Sequence, residues 1–250
     1  MPKPIISGLC DFIAASPTPF HATQNLKVMF ADAGFEVLSE DDDWAIEPNG
    51  AYVITRNDSS IIAFRTGKDW LQGIQMVGAH TDSPCLRIKP NPDVKAHGYA
   101  QLGVEVYGGA LLHPWLDRDL SIAGRVSGTD KDGNVVSKLI DFKRPVAVIP
   151  NLAIHLDREA NSSRVINPQT HLPLILSQQP DQSFDDLLLA ECGEPLATIL
   201  EYELSCYDTQ APSVVGFNEE FICGARLDNL LSTYIGARAL LDSDSDQAAL

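Results

Sequence analysis

Three short stretches set chemically capable side chains among apolar ones: His80-Thr81-Asp82, Trp115-Leu116-Asp117-Arg118-Asp119 and Arg226-Leu227-Asp228-Asn229. The first ends an apolar run, Ile74 to Ala79. That run is expected to form a strand in the middle of a sheet covered on both faces. Side chains alternate along a strand, so His80 and Asp82 would share a face with Thr81 opposite. A metal-ligating imidazole usually donates its second ring N–H to an acceptor such as a carboxylate. His-X-Asp therefore reads as a metal ligand with a carboxylate that orients it. The other reading is a capped strand end, with Asp82 and Ser83 bonding local N–H groups, and a tripeptide alone favours it.

Hydrolysis at a metal needs imidazole and carboxylate ligands that leave one position open for water. Two metals side by side need a bridging carboxylate, which an aspartate at a helix start can supply. Asp228 stands at such a start, where aspartate is equally at home as an N-cap. Asp117-Arg118-Asp119 could be a catalytic carboxylate pair, but an arginine balancing neighbouring carboxylates around a turn is the plainer reading. His21 reads as a helix-start contact and His113 as a surface or structural residue. His155, in Ala153-Ile154-His155-Leu156, reads on its own as a satisfied buried histidine. No Gly-X-Ser-X-Gly elbow, phosphate-binding loop or dinucleotide fingerprint occurs, which removes several enzyme classes.

Periodicity supplies the scaffold. Ile5, Leu9, Phe12 and Ile13 predict a helix broken at Ser16-Pro17-Thr18-Pro19. A second follows, with Ala22, Leu26, Met29 and Phe30 on one face and Gly34 ending it. Ala51–Thr55 and Ile61–Phe64 read as a hairpin around residues 56–60. Past the Pro90-Asn91-Pro92-Asp93 turn, short strands are expected at 104–107, 120–126, 135–142, 146–149 and 197–207. An Asp-Gly hairpin turn spans 129–134. Residues 156–182 read as loop, and Phe184–Cys192 as a short helix between Ser183 and Gly193. Leu227, Leu230, Leu231, Tyr234 and Ile235 form the clearest helical stripe. The acidic run 242–246 is expected to be flexible.

These elements predict an α/β layered domain and, after the change of character past Pro90–Asp93, a β-rich small barrel or sandwich inserted into it. With 34 acidic against 18 basic residues the net charge is −16, which excludes a general binder of nucleic acid or anionic membrane. No apolar run reaches the 18 or more residues of a membrane span, and the N-terminus lacks the apolar core of a signal peptide. Five cysteines without Cys-X-X-Cys spacing suit free thiols in a reducing compartment, so a cytoplasmic location is expected.

Six motifs in fixed order carry a family likeness: Ser16-Pro-Thr-Pro-Phe-His21, Val77-Gly-Ala-His-Thr-Asp-Ser-Pro-Cys-Leu-Arg87, Trp115-Leu-Asp-Arg-Asp-Leu-Ser-Ile-Ala-Gly-Arg125, Ile149-Pro-Asn-Leu-Ala-Ile-His155, Tyr207-Asp-Thr-Gln210 and Arg226-Leu-Asp-Asn-Leu230. Together they resemble the M18 aminopeptidases, the aspartyl aminopeptidases, from about residue 9 to residue 240.

The resemblance implies a zinc-peptidase fold and removal of an N-terminal Asp or Glu from peptides at a two-zinc site. His80 would then be a ligand of one zinc, Asp228 the carboxylate bridging both, and Asp82 a catalytic-site carboxylate supporting the His80 ligand. The β-rich, barrel-like insertion, residues 93–217, would be a dimerisation domain, and residues 1–92 with 218–250 the peptidase domain. His155 would reach a neighbouring subunit's active site, and the dimers would build a dodecamer. By the same likeness, water activated at the metals attacks the first peptide carbonyl while a glutamate moves the proton.

That glutamate belongs to an Asn-Glu-Glu-Val-Gly-like motif, followed in the family by a further aspartate and a C-terminal histidine. The chain holds no such motif, so it is expected to be an N-terminal portion, inactive alone. A non-catalytic assembly protein that keeps the dimerisation domain is the rival expectation. A metal-dependent amidohydrolase is a third.

Overall fold

In the computed structural model, which describes residues 3–70, 73–243 and 248–250, the elements run as follows. They are α1 (Lys3–Ala15), α2 (Pro19–Asp32), β1 (Glu36–Leu38), β2 (Ala51–Arg56), β3 (Ser60–Arg65), β4 (Cys85–Ala96), β5 (Tyr99–Tyr107), β6 (Leu120–Thr129) and β7 (Val135–Asp141). Then come α3 (Pro168–His171), β8 (Leu174–Ser177), α4 (Phe184–Cys192), β9 (Thr198–Asp208), β10 (Ser213–Val215), β11 (Phe221–Cys223) and α5 (Leu227–Leu241). The chain divides into two compact units, Met1–Ser83 with Ala211–Leu250, and Pro84–Gln210. The second begins with β4, a strand that runs on through the Pro90–Asp93 stretch where the sequence suggested the change of character.

In the first unit α1 and α2 arise as their apolar spacing predicts. Pro19 sits in the first turn of α2, where its missing N–H costs nothing. At the far end Gly34 takes a left-handed conformation, φ 87°. Gly34 N–H then bonds the Ala31 carbonyl and Phe35 N–H the Phe30 carbonyl, the paired bonds of a Schellman stop. The β2–β3 hairpin turns through Asn57 and Asp58, both at positive φ, the residue types that tolerate it. β1 joins β2 in parallel, giving the order β1-β2-β3. Leu9, Phe12 and Ile13 of α1, Leu26 and Phe30 of α2, Val53 of β2, and Leu230 and Tyr234 of α5 close one buried core.

The expected central strand at 74–79 is not there. Among the described residues this stretch makes one isolated bridge, Gln75 to Ala249, and Ile74, Met76 and Val77 are exposed. Ala249 also bridges Arg65 of β3, so residues 248–250 lie between β3 and 75–77. A buried strand needs partners along both edges, and 74–79 has one short partner here, which leaves its apolar side chains in solvent. The Asp242 side chain pairs with Arg238 at 2.9 Å, whereas 244–246, the rest of the acidic run, lie outside the described residues.

The second unit is a six-stranded sheet in the order β7-β6-β9-β4-β5-β8. Residues 146–149 complete it: Ala147 bridges Leu120 of β6, and Val148 bridges Ile175 of β8. Strands β6, β9, β4, β5 and β8 thereby close on themselves, the barrel-like form that the short strands suggested. Leu86, Leu102, Leu120, Ile122, Leu174 and Leu204 fill the interior, with Phe184 and Leu188 of α4 packed on it.

Several elements escaped the sequence reading, β4, α3 and β8 among them. β4 carries Pro90 and Pro92 inside an irregular stretch between Ile88 and Asp93, where an absent N–H breaks no ladder bond. α3 and β8 lie within the stretch read as loop. Gly124 and Gly128 of β6 admit β9 closely, since an added Cβ would fall 2.0 Å from the Glu203 carbonyl oxygen and 1.9 Å from that of Thr198. None of the five cysteines is in a disulfide, and burial raises the Cys206 thiol well above its ordinary range.

Candidate metal centre

The first unit brings together three of the four candidate residues. His80 leaves the exposed 74–79 stretch, Asp82 follows two positions on, and Asp228 stands at the start of α5. His80 Nδ1 lies 3.0 Å from the Asp82 carbonyl oxygen and 3.1 Å from its Oδ1. Both are acceptors, so the proton belongs on Nδ1 and the Nε2 lone pair is free to bind. His80 Nε2 lies 3.4 Å from Asp228 Oδ1, and the Asp228 side chain is 89% exposed.

Those positions suit a shared ion. Zinc binds imidazole nitrogen at about 2.0–2.1 Å and carboxylate oxygen at about 2.0–2.2 Å, so two ligands of one tetrahedral ion stand roughly 3.3–3.5 Å apart. The pair is set at that separation, and the carboxylate on the far ring nitrogen gives the carboxylate–histidine arrangement of zinc ligands. Among the described residues no group of three or more donors converges on one point. His80 and Asp228 face each other as a pair, with Asp82 on the far side of the imidazole.

The contact anticipated between His80 and Asp82 is present, but a turn brings it about and not a strand face. Asp228 is no N-cap. The cap position is Arg226, in left-handed conformation, and Asp228 and Asn229 depart from helical dihedrals at the head of α5. The peptide between these two residues is cis. Regular helix bonding starts with Leu230 N–H to the Arg226 carbonyl at 3.2 Å.

Three hydroxyls tie the segments that carry His80 and Asp228, in roles the sequence reading did not give them. Thr81 Oγ1 donates to the Ser59 carbonyl at 3.0 Å. Ser83 Oγ donates to the Asp228 carbonyl at 2.9 Å. Thr233 Oγ1 lies 3.0 Å from the His80 carbonyl and 3.1 Å from that of Asn229. The available signal was slight: Thr233 is a polar residue on the buried face of a strongly apolar helix.

His155 belongs to the second unit, where it is exposed and not buried. It rides on a loop whose neighbouring Leu152, Ile154 and Leu156 are also exposed. Arg164 Nε pairs with Asp157 at 3.2 Å, both largely covered, and its Nη1 reaches the Asn151 side chain, which pins the base of the loop. Asp117 and Arg118 are structural there. Asp117 Oδ1 accepts from Asn151 N–H at 2.8 Å, and Arg118 bonds Gln210 at 2.9 Å and lies 3.5 Å from Asp208. His21 Nδ1 lies 2.8 Å from Thr18 Oγ1, the helix-start contact expected of it.

The chain matches the family described as aminopeptidase I zinc metalloprotease (M18) over residues 12–249. It is 59% identical over 253 residues to a "Probable M18 family aminopeptidase 2" of Pseudomonas savastanoi pv. phaseolicola, covering 98% of this chain and 59% of that protein. The cryo-EM structure of the Ape4 and Nbr1 complex holds a similar chain: TM-score 0.89, 40% identity, 98% of this chain and 51% of that one covered. The S. cerevisiae mApe1 dodecamer gives a TM-score of 0.77 at 25% identity, over 98% of this chain and 59% of that one. The chain thus spans about three-fifths of the length of the curated relative (59%).

Proposed function

The chain belongs to the M18 family of zinc-metalloprotease aminopeptidases, and from that premise we propose that the intact protein removes N-terminal Asp or Glu from peptides at a site holding two zinc ions. The observation that carries the reading is the 3.4 Å approach of His80 Nε2 to Asp228 Oδ1, with Asp82 on the opposite ring nitrogen. His80 would hold one ion, and Asp228 would be the carboxylate shared between the two. Zinc, when bound, supplies Lewis-acid polarisation of a carbonyl and a water nucleophile active near neutral pH. Asp82 holds the proton on His80 Nδ1, fixes the ring plane and raises the basicity of Nε2. Asp228 is exposed enough for both of its oxygens to be approached.

Residues 93–217 act in this reading as the dimerisation domain, and β4, the strand that leads into it, begins earlier, at Cys85. Support comes from the exposed apolar loop around His155, clasped at its base so that it holds its form in solvent. His155 is read as a substrate-binding residue of a neighbouring subunit, in dimers that assemble to a dodecamer. The one helix-length criterion bearing on location is that no helix among the described residues is long and apolar enough to cross a membrane. A cytoplasmic site accords with five thiols outside any disulfide.

The test is turnover by the intact protein on aspartyl-, glutamyl- and leucyl-peptides and on N-acyl amino acids, with zinc content measured beside it. Acidic N-terminal residues should be preferred, and His80→Ala or Asp228→Ala should abolish both zinc loading and turnover. Hydrolysis of N-acyl amino acids alone would move the assignment to an amidohydrolase. Full activity in a metal-depleted His80→Ala protein would end it.

A further inference from the structure

Ser83 and Thr233 form a reciprocal tie between the two ligand-bearing segments. Ser83, three residues after His80, sends its hydroxyl to the carbonyl of Asp228 at 2.9 Å. Thr233, five residues after Asp228, sends its hydroxyl to the carbonyl of His80 at 3.0 Å. We propose that these two hydroxyls are positioning residues that set the separation of His80 and Asp228, and so the metal affinity of the site, without touching the metal. The inference rests on the reading of His80 and Asp228 as ligands.

The geometry separates this role from simple satisfaction of a polar group. A threonine inside a helix can meet its need with the carbonyl four residues back, and Asn229 offers one at 3.1 Å. Thr233 is 9% exposed and divides its single proton between that carbonyl and His80's. The second direction adds nothing to the helix; it holds the loop. One turn on, Gly236 faces Val77, at a distance where an added Cβ would make an ordinary contact, 3.4 Å from Cγ1. On its other flank the loop is tied to the β2–β3 hairpin by Thr81. Neither ligand stands in regular secondary structure, so these bonds carry what a strand ladder or helix turn would otherwise fix.

The chemistry makes the tie sensitive to small changes. Valine in place of Thr233 keeps the branched shape and loses the donor, whereas serine keeps the donor and loses a methyl. The experiment measures zinc affinity of the intact protein by competition with a chromophoric chelator, for Thr233→Val, Thr233→Ser, Ser83→Ala and the double variant Ser83→Ala/Thr233→Val. Metal-free melting temperatures and the visible spectrum of the cobalt-substituted protein accompany it.

Loss of an outer partner of a metal ligand weakens binding about 10–100-fold. Thr233→Val and Ser83→Ala should each lose about ten-fold, and the double variant more than either. Thr233→Ser should restore the affinity, with metal-free melting unchanged and the cobalt spectrum shifted in Thr233→Val. Wild-type affinity in both single variants would overturn the proposal. So would a loss that serine does not restore, or one that simply follows a fall in metal-free stability. If Thr233→Val does not fold, Ser83→Ala, at a half-buried position, carries the test alone. His80→Ala and Asp228→Ala run alongside: retained affinity there defeats the ligand assignment, while lost affinity there with intact Thr233→Val and Ser83→Ala defeats the tie only.

Discussion

Removing the Asp82 carboxylate gives the sharpest test of how His80 is prepared for a metal. Asp82→Ala takes away the Oδ1 that lies 3.1 Å from His80 Nδ1 but leaves the residue's own carbonyl at 3.0 Å. The ring therefore keeps one acceptor and its tautomer. What it loses is the charge, and the Asp82 side chain is 41% exposed, so solvent already screens part of that. The expected cost belongs at the lower end of the range for outer partners of metal ligands, about ten-fold in zinc affinity or ~1.4 kcal/mol. Asp82→Asn, which retains an acceptor oxygen, should cost less. Chelator competition on the metal-stripped intact protein near neutral pH reads both. A loss as large as that of His80→Ala would refute the reasoning, because it would make Asp82 a ligand in its own right. No loss at all would refute it from the other side, leaving the carbonyl as the whole of the orienting contact.

Two stability predictions follow from the packing of the separate units. Leu230 is completely buried at the head of α5 against α1 and α2, so Leu230→Ala should cost about 2–5 kcal/mol by leaving a cavity. Denaturant unfolding of the metal-free protein would show it, and a cost below about 1 kcal/mol would contradict the core described. Gly128→Ala would place a methyl 1.9 Å from the Thr198 carbonyl oxygen and 2.7 Å from a Leu196 methyl, and backbone cannot yield as a side chain does. The β6–β9 pairing should weaken by about 1–3 kcal/mol or more. Faster amide exchange at Ala197, whose N–H bonds the Thr129 carbonyl at 2.7 Å, is the local readout.

Much of the fold could be read from the sequence where one local pattern decides the outcome. The stripes of α1, α2 and α5, Gly34 at a helix stop, and the hairpin at 56–60 depend on neighbours a few residues away. The Ile74–Ala79 stretch fails because its apolar side chains say nothing of how many strands will pair beside it. β4 fails for the opposite reason: Pro90 and Pro92 look like an end when they occupy an irregularity within a strand. The centre divides in the same way. The His80–Asp82 contact is a matter of two residues and was legible, though the turn that makes it was not. The Thr233 bond to His80 joins positions 153 apart and ends on a backbone carbonyl, which leaves no mark on the partner's residue type.

The same division explains where the two proposed ligands stand. A helix interior or a paired strand directs its side chains by a fixed period, and His80 and Asp228, 3.4 Å apart across separate segments, follow neither period. His80 and Asp228 are instead set on irregular backbone, with φ 61° at Arg226 and non-helical dihedrals at Asp228 and Asn229. Chemistry placed on such backbone needs a rigid scaffold beneath it. Here Leu230 and Tyr234 lock α5 into the core one turn beyond Asp228, and the β2–β3 hairpin holds Thr81 one residue beyond His80. The irregular residues are few and each is flanked by a fixed point. On the proposed tie, the freedom left between His80 and Asp228 is what the hydroxyls of Ser83 and Thr233 restrict.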